Sequence, residues 1–469
     1  MYTLFIVIFT GIIIAVALVT PMRLQFTHFV HRNPHVCAVI GAFAVYLVLT
    51  GPVHFTFMAD DWRHLAAAEQ LSDLYADRFS RWVPRVPVWS IFAWIIFYFH
   101  IFERSWAPMY LVYAAHASAV ALIARWLLRE LDDKQDILST NAWITAFAIG
   151  VGALYPNVYE ILYWPTCMPY AVGGLFVAAA LYARTRIACV TFAALAFLTY
   201  ETFLLPALGL MVLPVLLNRS PAEPRVRIRA AVQLTLSWLS AALVMLSVRG
   251  VAALFLGNFY QKVNTNPSHV LAQAHASAQE LFQIRFFGSG RNEIATWVML
   301  GILVISTALL CQRTSWRWRP VILLVGCFLS TAVYWVLDYD AMRAIYGAQI
   351  MFSAVMVWLI VQASRAGVRP IVVSIGLSAL GVVFVMQSAS IMRIKDHNAG
   401  VLAMREASLA KKIQACDSEC VVQYEDLDSG LTQDWVLHPA YWNSYLEWLH
   451  QKYGRDKHVE FVHKSEASN

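Results

Sequence analysis

The chain has 469 residues, 59% of them hydrophobic and only 14% charged, with 17 Trp and a formal net charge of +6. Soluble domains carry nearer a quarter charged residues, so an ordinary soluble enzyme is excluded, and apolar runs near the ~20 residues that cross a bilayer predict an all-α polytopic membrane protein. The basic excess lies in residues 1–390, with 26 Lys/Arg against 17 Asp/Glu; residues 391–469 hold nine against twelve.

Taken in chain order, residues 4–20 are an apolar run with no basic residue ahead of it, while Arg23 and Arg32 follow. That order predicts a retained first span and not a cleaved signal. Short Arg-rich breaks then recur at 23–35, 125–134, 184–186, 219–229, 313–319 and 365–369. The positive-inside rule sends these to the cytoplasm, where anionic lipid and not nucleic acid is their counterpart. Breaks rich in acids and aromatics fall at 60–104, 155–169, the Tyr200-Glu201 junction, 257–293 and 338–343, and take the outer side. The two kinds alternate strictly if 88–102 does not cross, so that segment is expected as an interfacial or re-entrant element.

The expected architecture is about twelve transmembrane helices with both termini outside. Residues 1–390 form the membrane domain, with a long first external loop at 58–106 that holds interfacial helices. Residues 187–217 divide into two short spans meeting near Glu201, where Pro206 and Pro214 allow bends. Residues 391–469 form a small extracytoplasmic soluble segment. Its Trp435, Tyr441, Trp442, Tyr445 and Trp448 either make a compact core or rest on the membrane surface. Cys416 and Cys420 in that segment read either as a disulfide, if the compartment is oxidising, or as two free thiols. Most other cysteines lie in apolar runs as small hydrophobes.

The sharpest chemical feature is Ala59-Asp60-Asp61-Trp62, at the outer end of the second apolar run. Adjacent carboxylates where a chain leaves hydrocarbon are costly without work or partners. Trp62, Leu65, Ala68, Leu71 and Tyr75 recur at roughly helical spacing, as in a helix lying flat on the interface. Asp60 or Asp61 as the cap of that helix is the plainer alternative. Arg78, Arg81 and Arg85 follow on the outer side, against the charge rule. Their forks suit phosphate, or else pair with Asp73 and Asp77. Tyr200 and Glu201 sit between two short apolar runs, where a carboxylate is a default site candidate. Tyr163 and Trp164 offer rings for sugar stacking or for an interfacial belt. Asp338 and Arg343 place another acid and base at an outer helix end, as substrate contacts or as a capped helix end.

An acidic pair opening a long external loop, then a flat helix, a re-entrant segment and a return span ending in arginines resembles the GT-C superfamily. These are integral-membrane glycosyltransferases that use lipid-linked sugars. The likeness is closest to the bacterial glucosyltransferase GtrII and dolichyl-phosphate-mannose transferase types, over residues 58–129 in detail and elsewhere as topology. The acidic pair here follows the second apolar run, where the family has it after the first. The resemblance implies a bacterial inner-membrane enzyme with its site facing the periplasm, and an inverting transfer from a polyprenyl-phosphate sugar to a glycan or lipid of the cell envelope, lipopolysaccharide among them. It implies Asp60 or Asp61 as general base, with Arg78, Arg81, Arg85 or Arg343 meeting the charge of the leaving phosphate. A flippase and a polyprenyl-phosphate sugar synthase would supply the donor. No cofactor is fixed by the likeness, and a divalent metal stays open. An O-antigen-type polymerase or ligase is the alternative, and a secondary transporter ranks third.

Overall fold

The computed structural model describes residues 20–50, 62, 107–131, 142–158, 167–217, 224–256, 265–283, 292–312, 318–335, 345–366, 368–431, 437, 439 and 442–464. Its helices are, in order, α1 (Thr20–Arg32), α2 (Pro34–Thr50), α3 (Ala107–Glu130), α4 (Ala142–Ala153), α5 (Met168–Leu181), α6 (Arg186–Thr199), α7 (Leu204–Leu217), α8 (Pro224–Leu256), α9 (Pro267–Phe282), α10 (Asn292–Gln312), α11 (Arg319–Leu329), α12 (Tyr346–Arg365), α13 (Pro370–Gln414) and α14 (Trp442–Tyr453). Two strands, β1 (Glu419–Tyr424) and β2 (His458–His463), flank α14. An apolar chain in lipid must satisfy its own backbone groups, and a helix does so within one segment. Proline sets several of the starts, in the first turn of α5, α9, α11 and α13, where a missing N–H costs nothing.

Four helices among the described residues are long and apolar enough to cross a membrane: Met109–Glu130, Arg225–Val248, Tyr346–Arg365 and Pro370–Gln414. A fifth arises if Gln25–Arg32 and Pro34–Thr50, bent by 107°, count as one broken span. That bend lies in the Arg-rich break at 23–35, which is helical and docks through Phe26 on Trp143 of α4, ring centroids 5.7 Å apart. Six further apolar helices among the described residues are 10–17 residues long. In the apolar run at 321–336, nine of the described residues are helical as the end of α11, before a 3-10 turn at Ala332–Trp335. Ser330 and Thr331 interrupt it, their hydroxyls turned back on the carbonyls of Cys327 and Phe328 at 2.6 and 2.7 Å, a local bond that competes with the helical ladder. The span expected at 4–20, apart from Thr20 at the start of α1, and the segment at 88–102 fall outside the described residues.

The core is built around α12, in which every residue from Tyr346 to Ser364 is buried. It touches α3, α4, α7, α10, α11 and α13. A helix apolar all round is either central or bathed in lipid. The second case is α8, where Leu243 is 63% and Leu254 85% exposed.

The expected break near Glu201 is found. α6 ends at Tyr200, whose extended backbone stops the helix, and Glu201–Phe203 form a 3-10 turn into α7. Cys189 near the start of α6 and Val215 near the end of α7 face one cavity, so the pair is a hairpin with its apex at Tyr200–Phe203. Both legs pack on α8, where the Trp238 indole donates to the Leu204 carbonyl at 2.7 Å.

α13 is 45 residues long and runs unbroken through the 390/391 boundary. At 1.5 Å per residue it measures about 67 Å, more than twice the ~30 Å hydrocarbon layer. Its far half carries the C-terminal unit, which departs from the all-helical expectation through its two strands. They pair in parallel, Glu419 opposite His458 through Tyr424 opposite His463, with α14 as the crossover that a parallel pair requires. The Lys457 ammonium closes the end of α13 by donating to the carbonyls of Gln414 at 2.8 Å and Cys416 at 2.6 Å, as cations do at helix C-termini. Cys416 and Cys420 form a disulfide, Cα atoms 5.7 Å apart, tying the helix end to β1. Tyr445 and Trp448 belong to the core of this unit and Trp442 is half-buried, while Trp435 and Tyr441 fall outside the described residues.

Candidate functional site

Two constellations form at the end of the bundle where α3 and α12 begin and α6 ends. The first is an aromatic cluster on the first turn of α12. Tyr346 donates or accepts at His116 Nδ1 across 2.8 Å, from α3. Its ring is edge-on to Tyr170 at 6.2 Å and to Phe203 at 6.1 Å. Tyr200 lies on Tyr170, centroids 4.5 Å apart, and is only 3% exposed. The Thr202 hydroxyl accepts from Gly347 N–H at 3.1 Å and locks the hairpin apex to α12. Gly347 is required by that approach, because a Cβ there would stand 2.3 Å from the Thr202 carbonyl oxygen. Gly347→Ala is therefore expected to lower stability by about 2–3 kcal/mol, the cost of overpacking against backbone. A lower thermal midpoint in detergent with unchanged helix content is the check.

A second anchor adjoins it. Asn157, in the 3-10 turn Pro156–Val158 after α4, donates to Glu280 O at 2.7 Å, Gln283 O at 3.0 Å and the Tyr155 hydroxyl at 2.9 Å. Its own carbonyl accepts from Gln349 of α12 at 2.9 Å. One buried amide thus fastens the end of α9, which lies in the 257–293 break, to the central helix, and α9 satisfies terminal carbonyls in the process.

The second constellation surrounds Trp62, which is 3% exposed and part of the core of the C-terminal unit. Its indole is edge-on to Tyr445 at 4.7 Å and tilted to Trp448 at 5.3 Å. Lys452 caps Trp448 at 4.5 Å from the ring centroid and pairs with Glu406 at 2.9 Å. Arg405 reaches the carbonyl of Ser429 and its hydroxyl, the latter at 3.2 Å. In the sequence Asp61 immediately precedes Trp62.

Burial pushes the Tyr445 phenol well above its ordinary range, with the Glu406 carboxylate and Tyr453 adding to the effect and Arg405 opposing it. The unfolded phenol ionises near pH 10 while the folded one keeps its proton, so stability is full below that pH and falls as pH rises beyond it. Alkaline titration is expected to unseat the C-terminal unit above about pH 10, with Tyr445→Phe removing that dependence. Trp fluorescence against pH is the readout.

Of the residues singled out in the sequence, Asp60, Asp61, Arg78, Arg81, Arg85, Tyr163, Trp164, Asp338 and Arg343 lie outside the described residues. Glu201 opens the 3-10 turn at the hairpin apex. Tyr200 is described in full, and its ring is a packing surface for Tyr170. The structure adds His116, Tyr346, Thr202 and Asn157, which sequence reasoning missed. His116 had a signal: a lone imidazole inside an apolar run is a default candidate. Its Nε2 is buried and has no hydrogen-bond partner among the described residues. Among the described residues no three His, Cys, Asp or Glu side chains gather at metal-binding range. Set against protein-family models, curated proteins and solved structures, the chain matches none.

Proposed function

We propose that the chain is an inverting membrane glycosyltransferase, moving a sugar from a polyprenyl-phosphate donor to an acceptor hydroxyl of a cell-envelope glycan or lipid. The observation that carries the proposal is the Ala59-Asp60-Asp61-Trp62 motif. It opens a long loop bearing Arg78, Arg81 and Arg85, and its Trp62 is buried in the C-terminal unit. A carboxylate pair steadied at a membrane surface is suited to meet an acceptor hydroxyl beside a lipid-anchored donor.

The acceptor oxygen attacks the anomeric carbon as its proton passes to Asp60 or Asp61. The bond from that carbon to the phosphate oxygen breaks, its electron pair leaving with the polyprenyl phosphate, and the configuration inverts. A phosphate leaving group needs cations more than an acid, and Arg78, Arg81, Arg85 and Arg343 are the candidates. The disulfide Cys416–Cys420 suits an oxidising compartment such as the periplasm, which supports an outward-facing site in an inner membrane. The donor would come from a polyprenyl-phosphate sugar synthase and a flippase.

The test is single-turnover transfer by the purified full chain from a panel of polyprenyl-phosphate sugars, with the anomeric configuration of the product determined. Consumption of one donor with inversion is expected. No consumption across the panel overturns the proposal and moves a polymerase or ligase ahead of it.

A further inference from the structure

At the arginine-bearing end of the bundle, a cavity of about 520 Å³ opens where α3, α5, α6, α7 and α8 meet. Its apolar lining is formed by Leu181, Cys189, Val215, Ala230 and Leu234, with buried Ser237 among them. Its exposed lining is polar, formed by Arg184, Thr185 and Arg186 around the turn between α5 and α6 and by Gln233 of α8, with Trp126 of α3 also on the wall. Among the described residues neither Arg184 nor Arg186 forms an ion pair, and Glu130 is the one acid that lines the cavity. The first turns of α8 extend beyond the cavity and carry exposed Arg225 and Arg229.

We infer that this cavity binds the phosphate group and glycerol region of an anionic membrane phospholipid, with Arg184 and Arg186 on the phosphate and the apolar lining against the first methylenes. Three observations carry it. The volume falls in the range of small-ligand sites. Two guanidiniums with no ion pair among the described residues offer forks that match phosphate oxygens. An apolar lining in the same cavity as exposed cations is what an amphiphile fills and a free anion does not. The charge rule puts this end in the leaflet rich in anionic lipid, where basic pockets between helices hold such head groups. Thr185 caps α6 by accepting from Ala188 N–H at 3.2 Å, which places the positive end of that helix at the same exposed lining. The inference is independent of the transfer reaction.

The test is native mass spectrometry of the full chain released from nanodiscs of phosphatidylcholine with graded phosphatidylglycerol. Wild type is expected to retain phosphatidylglycerol selectively. Each arginine at an anionic surface contributes about fivefold, so Arg184→Gln/Arg186→Gln should weaken that retention about 25-fold and leave phosphatidylcholine unchanged. Ala230→Leu, which fills space along the apolar lining without touching charge, should also abolish it, and it serves if the double variant fails to fold. Arg32→Gln, on exposed α1 at the same end, should behave as wild type. Millimolar inorganic phosphate should not displace the lipid. Equal retention by wild type and the double variant, retention by Ala230→Leu, or full displacement by inorganic phosphate overturns the assignment.

Discussion

Asp60→Asn or Asp61→Asn is expected to lower single-turnover sugar transfer by about 10²–10⁴-fold, the usual worth of a positioned general base. That loss corresponds to about 3–5 kcal/mol on the barrier. We expect the larger loss at Asp60, with Asp61 orienting the acceptor. Magnitude separates this from the helix-cap alternative. Removing a cap costs about 1 kcal/mol of stability and leaves the rate alone, whereas removing the base leaves stability alone and takes the rate. The acid limb of the pH–rate profile should vanish with the base. If both Asn variants transfer sugar at the wild-type rate, the acidic pair is a cap and the catalytic assignment is wrong.

Trp62→Ala is expected to free the chain at residue 62 from the C-terminal unit. A buried Trp cut to Ala costs about 3–5 kcal/mol, part of it the aromatic contacts with Tyr445 and Trp448. The strands, α14 and the Cys416–Cys420 link do not depend on this side chain for their own bonds. The unit should therefore stay folded while limited proteolysis finds new cleavage around residue 62. On the proposed function, transfer should fall through a raised acceptor KM more than through kcat, because Asp60 and Asp61 adjoin the residue that loses its seat. Trp62→Phe should restore most of both. Unchanged proteolysis in the Ala variant would count against the seat.

Much of the fold was written locally. The break at Tyr200 follows from a carboxylate between two short apolar runs, and four helix starts follow from proline. The central position of α12 was not legible, because its composition hardly differs from that of lipid-facing α8. Only the neighbours separate them, and burial of Gln349 and Ser353 follows from position and not from sequence. The length of α13 was hidden for a different reason. The apolar pattern stops near residue 390, but Ala, Lys, Arg and Glu continue as good helix formers to Gln414. The parallel strands pair across a separation that no local period reports. At the site, the acidic motif was legible from charge alone. Its partner surface on Tyr445 and Trp448 was not, because nothing in sequence spacing links residue 62 to residue 445.

An uninterrupted α13 also sets the angular phase of the C-terminal unit against the bundle. Each residue added to the helix between Ser390 and Arg405 would turn the unit by about 100° and lift it by 1.5 Å. One added residue would swing Tyr445 and Trp448 away from Trp62. Seven would bring them back to within about 20° of their present bearing, some 10 Å higher. The bearing of the unit on Trp62 is thus held by helical count, as the teeth of a gear hold a dial, and only insertions near a whole number of turns would preserve it.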